Sequence, residues 1–464
     1  MFYPLCLRNL FLSLMLISYA SSVVLVDAAS SVPSSKIFKF VNQGDLFTNT
    51  VVEYKGDFRF VRTISNHPFS LCFYNITANS YTLALGMGTS SPTSRMLWVW
   101  SANRGRPVGE NAVLSFGRNG NLVLVDTDGL VAWQTRTADK GVVDIKLLPN
   151  GNLVLLNSDG GFVWQSFDYP GDTLLNGQGL RPGGAIDHKL VSRLSETDDS
   201  PGPYSMVING EGKSGIPLFY KSKFSSEPLK YDDVLLGFNE ERLDNLTFYV
   251  NPATSDWGPD YTNQLGLHLQ GETNIEGLWA QPKYNSTLSL LRLGWDGNLH
   301  VYTYYEKGYW NDAWDETFTY FAVSQGEGFS ECRLPEKCGA FGICSKSQCV
   351  ACPTPKGLTI WSEDCKPPTL PSCKASTGNA SYYQIDGVDH FLSVSNEGEG
   401  PMKIDDCKLK CSKDCRCAAF FYRKDTSRCL IVNELNTLTK VTGSSSKQHV
   451  AFIKYANNGI TRAE

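Results

Sequence analysis

The segment NGNLVLVDTDGLVAWQT, which begins at Asn119, returns at Asn150 as NGNLVLLNSDGGFVWQS. The copies align at a constant offset: Asn121 on Asn152, Asp128 on Asp159, Gly129 on Gly160, Trp133 on Trp164 and Gln134 on Gln165. Each reads as strand, Asp-Gly turn, strand, because Asp-Gly supplies the positive φ that a tight hairpin needs. A looser copy, MLWVWSANR, puts Trp100 at the matching place. One hairpin cannot bury a core by itself. Three related hairpins around an axis can share one, with their tryptophans meeting at the centre. A further version, LGWDGNLHVYTYYEKGYW, repeats the turn and strand around Asn298, so a second β domain of the same design is expected over about 185–325.

The rest of residues 37–325 agrees with this pattern. Val, Leu, Tyr and Trp are frequent, Gly, Asn and Asp interrupt them at short intervals, and no long stretch carries a 3.6-residue apolar period. The chain has 464 residues, room for roughly three domains of about 150 residues. A formal net charge of -5, with no run of Lys or Arg, argues against nucleic acid or an acidic membrane as a partner.

Residues 1–28 have the layout of a secretory signal peptide: Arg8, an apolar stretch, then the small residues Ala20, Ala28 and Ala29. Ser13, Ser18, Ser21 and Ser22 interrupt the apolar run, which favours cleavage near Ala28 over a membrane anchor. No later stretch reaches the ~18 apolar residues a membrane helix requires. Four sequons suit this route: Asn75, Asn245, Asn285 and Asn379. So does cysteine usage. Of 14 cysteines, Cys6 leaves with the signal, and twelve lie between Cys332 and Cys429, a density that in an exported chain means disulfides. Cys72, in the apolar strand FSLCFYNI, is read as a buried free thiol. Six scattered His make clustered zinc sites unattractive, and no metal or other cofactor is expected.

The segment CRLPEKCGAFGICSKSQCVACP, completed by Cys365, is too short to bury a sufficient core and needs cross-links. KPPTLPS reads as a stiff linker to a last module that starts at Cys373. There PMKIDDCKLKCSKDCRCAAF is predicted helical, with Asp405 and Asp406 at its favoured N-terminal end. Cys407 and Cys411 then share one helical face, from which both can bridge to a sheet beneath.

Taken in order, VWSANRGRPV, NGNLVLVD, VWQSFDYPGDTLL, the six-cysteine module and CKLKCSKDCRCAAF resemble the plant S-locus-glycoprotein-like proteins. The openings KFVNQGDLF and LCFYNITANSYTLALGMG bring the chain nearest to their epidermis-specific secreted branch, which lacks a membrane span and kinase. The resemblance implies an all-β chain of two tandem β-prism II (bulb-type lectin) domains, 37–180 and 185–325. An EGF-like module, 330–366, and an α+β PAN/apple module, 373–456, would follow. It also implies the pairings Cys332–Cys344, Cys338–Cys349 and Cys352–Cys365, then Cys407–Cys429 and Cys411–Cys417. Cys373–Cys415 follows only by elimination, since spacing alone allows many connectivities.

The family's mannose pocket reads Q-x-D-x-N-x-V-x-Y, five side chains on one strand face. The first copy offers Gly117, Asn119, Asn121, Val123 and Val125, and the second Leu148, Asn150, Asn152, Val154 and Leu156. Both lose Gln and Tyr, and Asn replaces Asp. The later copy, Gly294, Asp296, Asn298, His300 and Tyr302, keeps three of the five, although His is poorly suited to pack on a sugar ring. Candidate carbohydrate ligands are therefore Asp296, Asn298 and Tyr302, then Asn119, Asn121, Asn150 and Asn152. The competing reading is that Asn-Gly-Asn-Leu is turn chemistry. Arg104 and Asp168 are expected to form a structural ion pair. No GxSxG, HExxH or P-loop is present, and the carboxylates near Trp257 and Trp314 read as turn residues, so no catalytic residues are assigned. Two functions fit. One is a secreted glycoprotein of the apoplast or cell wall that binds glycans or wall glycoproteins. The other is a scaffold that binds an extracellular protein through its EGF-like and PAN modules.

Overall fold

The computed structural model describes residues 31–456 except 49–52, 54–55, 89–94, 183–188, 209–215, 235–244, 253–262, 270–285, 287, 306–312, 324–328, 372 and 374–379. The signal segment, Trp257, Asn285 and Asn379 lie outside the described residues. The described chain is mainly β, with one α-helix, Ile404–Lys413, of more than a few residues.

Residues up to 165 form three antiparallel sheets. One is ordered Phe38–Val41, Val113–Phe116, Leu122–Val125, Val131–Gln134, and another Asp144–Leu147, Leu153–Leu156, Phe162–Gln165. The third runs Asp57–Asn66, Phe69–Thr77, Ser80–Met87, Leu97–Ser101. Alternation sends Leu114, Phe116, Leu122, Leu124, Leu153 and Leu155 into a shared, fully buried interior. The last strand of each sheet contributes one tryptophan. Trp100, Trp133 and Trp164 stand edge to face, with centroids 5.8, 6.1 and 5.8 Å apart. The symmetry extends to the register: Leu85 opposes Trp100, Leu124 opposes Trp133 and Leu155 opposes Trp164, and in each case the pairing slips at the next residue. Each bulge turns its tryptophan toward the axis. The glycine inside NGN is required by space as well as by conformation. At Gly151, with φ 83°, a Cβ would fall 2.7 Å from Leu175 and Phe69.

Three more sheets follow. Thr173–Leu175 pairs with Ser289–Leu293, which continues to Leu299–Tyr304 and Trp314–Thr319. Gly179–Leu180 pairs with Leu246–Pro252, and Lys189–Ser195 begins a four-stranded meander that ends at Leu229–Val234. Residues 173–180, expected in the first domain, thus pair with strands of the second. The recognisable repeat ends at Gln165, and nothing after it marks where the chain crosses over.

A buried ion network joins the two groups. Arg193 and Arg292 each reach Glu53 Oε1, at 2.5 and 2.6 Å, and each donates to the Trp98 carbonyl at 2.8 Å. Asp172 lies 2.5 Å from Arg193 Nε and 3.8 Å from Arg292 Nε. Burial alone would raise both carboxyl pKa values, but the two guanidiniums outweigh it and hold Glu53 and Asp172 below the usual range. Arg104 does not pair with Asp168. It donates to the carbonyls of Asp199, Val191 and Ser192, while Asp168 accepts from Gln165 Nε2. A guanidinium has five donors, and three carbonyls at the junction match that fork better than one carboxylate.

The C-terminal region is one body rather than two linked modules. Phe341–Ser345 of the cysteine-rich segment pairs in parallel with Asn436–Lys440, and both belong to a five-stranded sheet. The Pro-rich stretch is tied in through Leu370, which packs on the core, and Thr369 O, which accepts from Ala456 N. Composition could not reveal a pairing across so many residues. The helix Ile404–Lys413 lies on a second sheet, carrying Asp405 and Asp406 in its first turn and Lys410 and Lys413 in its last. The bridges are Cys332–Cys344, Cys338–Cys349, Cys352–Cys365, Cys373–Cys415, Cys407–Cys429 and Cys411–Cys417. Only Cys407 reaches a strand from the helix. Cys411 bonds back to the turn that leaves the helix, six residues on. Cys72 is free and buried, and burial pushes its thiol pKa up. One continuous apolar core runs from Leu174 through the second group of sheets to Ile453.

Removing one ring of the triad opens a cavity that the other two cannot fill. Trp164→Ala should cost about 3–5 kcal/mol, measured by urea unfolding followed by circular dichroism.

Candidate functional site

The three NGN-type turns repeat one hydrogen-bond pattern. Asn119 Oδ1 accepts from Asn121 N at 3.2 Å, Asn150 Oδ1 from Asn152 N at 3.2 Å, and Asp296 Oδ1 from Asn298 N at 3.0 Å. These are local side-chain turns that hold the chain as it enters the strand.

The second asparagine of each turn ties the hairpin to a later segment. Asn121 donates to Gln134 Oε1 at 2.9 Å and accepts from Thr135 Oγ1 and Thr137 N. Asn152 donates to Gln165 Oε1 at 2.8 Å and accepts from Ser166 Oγ and Phe167 N. Asn298 donates to Phe321 O at 3.0 Å and accepts from Phe321 N and Leu299 N. Their exposures are 8%, 3% and 2%. An amide has two acceptor sites and two N–H groups, so each has at most one N–H left for a ligand. In the second copy Val154 is fully buried as well, so that strand face is covered.

The expectation that Asp296, Asn298 and Tyr302 face one way as a groove is corrected for Asn298. Asn298 turns into the framework. Tyr302 packs against the first group's core, 5.9 Å from the Arg292 guanidinium, and burial outweighs that cation to push its phenol pKa up to about 12. Asp296 stays on the outside, where it meets two residues not assigned from the sequence, and the Tyr302 ring stacks on one of them, His300, at 5.9 Å. His300 Nε2 is 3.5 Å from Asp296 Oδ2, and His300 Nδ1 is 2.8 Å from Glu316 Oε1. Glu316 also accepts from Thr319 Oγ1. Burial would depress the imidazole, but the hydrogen bonds and charges of the two carboxylates prevail and raise its pKa to about 9. Asp296 and Glu316 are correspondingly lowered. At neutral pH the cluster is one imidazolium between two carboxylates, and Trp295, the residue before Asp296, is 50% exposed.

Gly294 explains the remodelling. A Cβ there would sit 2.3 Å from Asp296 Oδ1 and 3.1 Å from the His300 ring. Any side chain at this place, such as the Gln of the family's motif, would have to displace Asp296 Oδ1 from its present position. The sequence signal was His300 in place of the motif's Val, since Gly in place of Gln also occurs at Gly117 with Val123 kept.

Two sequons can be placed. Asn75 is buried and accepts from Asp57 N. Asn245 is half-buried, and its Nδ2 donates to Thr247, the threonine of its own sequon, at 3.2 Å.

The histidine's linkage has a definite sign. Its folded value, about 9, lies above the reference 6.5, so the stabilisation is complete below pH ~6.5 and is lost as pH rises through about 9. Thermal melts of the wild type and His300→Gln should differ at pH 6 and converge near pH ~9.5. Asn298→Ala should destabilise the fold by about 1–3 kcal/mol in urea unfolding, because it strands the Phe321 backbone groups.

The D-mannose binding lectin family profile matches residues 97–191, and the PAN-like domain profile matches residues 373–436. EP1-like glycoprotein 4 of Arabidopsis thaliana is 45% identical over 95% of this chain and 96% of its own length. Epidermis-specific secreted glycoprotein EP1 of Daucus carota is 45% identical over 80% of this chain and 95% of its own. The G-type lectin S-receptor-like serine/threonine-protein kinase SD2-5 of Arabidopsis thaliana is more distant, 28% identical over 78% of this chain and 41% of its own.

Proposed function

The chain belongs to the EP1-like glycoproteins, and from that membership we propose that it is a secreted, non-catalytic lectin-like protein of the apoplast or cell wall. In this reading the two groups of three sheets are bulb-type lectin units, and residues 330–366 are an EGF-like module. The mannose-type pockets are degenerate. Glycan binding, if retained from the D-mannose binding lectin family, moves to the face that carries Trp295, Asp296, His300 and Glu316.

One observation carries this: the residue that precedes Asp296 of a fixed, charge-assisted cluster is an exposed tryptophan, while the asparagines of the other copies are used by the framework. An indole offers an apolar platform for a sugar ring, and ionised carboxylates are strong acceptors for its hydroxyls. The cluster's net negative charge favours neutral or basic glycans over uronic acids. A glycan array with the full chain should show weak binding to neutral wall polymers, with mannose no better than galactose. Trp295→Ala should reduce that signal about tenfold at unchanged melting temperature. Silence across the array, or signals indifferent to Trp295, would end this reading.

The second reading is a protein scaffold that works through residues 330–456. The parallel pairing of Phe341–Ser345 with Asn436–Lys440 favours it, because it makes that region one surface. The core shared with the second group of sheets means that the full chain, not a fragment beginning at Cys332, is the proper bait. Partners that free sugars do not displace would support it.

A further inference from the structure

A cavity of about 390 Å³ opens where the second group of sheets, the cysteine-rich segment, the Pro-rich stretch and the loop before Asn436–Lys440 meet. It is separate from the glycan face. Two carboxylates, Glu336 and Glu434, line it. Glu336 is held in place, accepting from Tyr204 OH at 2.9 Å and from Tyr220 OH at 3.2 Å. Glu434 is different. It is only 8% exposed, and its Oε1 has no hydrogen-bond partner. Its Oε2 has the Asn436 amide at 3.5 Å, and the Ser222 hydroxyl is the carboxyl's other neutral hydrogen-bonding neighbour.

The lysines of the wall do not answer this charge. Lys454 donates to the carbonyls of Cys411 and Asp414, at 3.0 and 2.9 Å, at the end of the α-helix. Lys223 is exposed. Among the described residues no cation is paired with either glutamate. Burial and the neighbouring Glu336 charge both push the Glu434 pKa up. The remaining wall is apolar, with Phe224 exposed beside Pro367, Pro368, Leu370 and Leu435.

A buried carboxyl held only by neutral donors, a second carboxylate on the cavity wall and an apolar entrance call for a cation on an apolar stem. We propose that this cavity binds a primary alkylammonium group, with the ammonium at Glu434 and the methylenes against Phe224 and the proline wall. The group can belong to a free aliphatic amine or to the lysine side chain of a peptide.

The test is titration of the full chain with cadaverine, with a blocked pentapeptide Gly-Gly-Lys-Gly-Gly, and with 1-pentanol as the uncharged stem, followed by ligand-observed NMR. At least one amine should bind with Kd of about 1 mM or tighter, and pentanol should not. Tighter binding of the peptide assigns a protein's lysine, and tighter binding of cadaverine a free amine. Glu434→Gln should weaken binding about tenfold. Phe224→Ala alters an exposed side chain, keeps the fold and should weaken binding as well. Absence of binding by both amines, pentanol binding as well as they do, or undiminished affinity in either variant would overturn the proposal.

Discussion

The fold depends on three indoles meeting on one axis. Trp100, Trp133 and Trp164 each need a neighbour's edge against their face, so no sheet of the first group can complete its interior without the other two. The triad sets the position of the final strand in each sheet, and that strand sets its register against the preceding one. The bulge beside each leucine–tryptophan pair is the local cost of aiming a ring at the axis from a strand that would otherwise run past it.

The same constraint shapes the outer faces. Gln134 and Gln165 directly follow the triad tryptophans, and they take the free amide hydrogens of Asn121 and Asn152. A residue that might have reached a ligand instead closes the hairpin. In the later copy no tryptophan triad is present among the described residues, and Asn298 binds the backbone of Phe321 instead. Its outer face is then free to carry a charged cluster, which Gly294 makes room for.

The periodic parts of this architecture were readable from the chain. The offset of the repeat, the Asp-Gly turns and the recurring tryptophan predicted hairpins with a shared centre, and a helix was expected where Ile404–Lys413 lies. The illegible parts are those in which the partner is remote in sequence. The pairing of Thr173–Leu175 with Ser289–Leu293, and of Phe341–Ser345 with Asn436–Lys440, leaves no local period. The role of Asn298 was illegible for a related reason. Strand alternation predicts which way Asn298 starts, not that Phe321 will be waiting for its amide. Likewise it places His300 outside, but not that Asp296 and Glu316 flank it.

Two groups of carboxylates show how charge differs between the framework and the proposed binding site. Glu53 and Asp172 face Arg193 and Arg292, two anions against two cations, and the arginines' remaining donors reach the Trp98 carbonyl. That set is electrically complete and leaves nothing for a ligand to supply. It fixes one group of sheets to the other, and removing any member would leave a charge stranded in a poorly solvated place. Glu336, which is exposed, and Glu434, which is buried and whose pKa burial and the Glu336 charge push up, have tyrosines, an amide and a serine facing them instead of cations. Neutral donors can orient a carboxylate without neutralising it. A protein that needed only rigidity at that junction would be more stable with an arginine there, or with no acid at all. The missing positive charge is therefore best understood as belonging to something that arrives from outside.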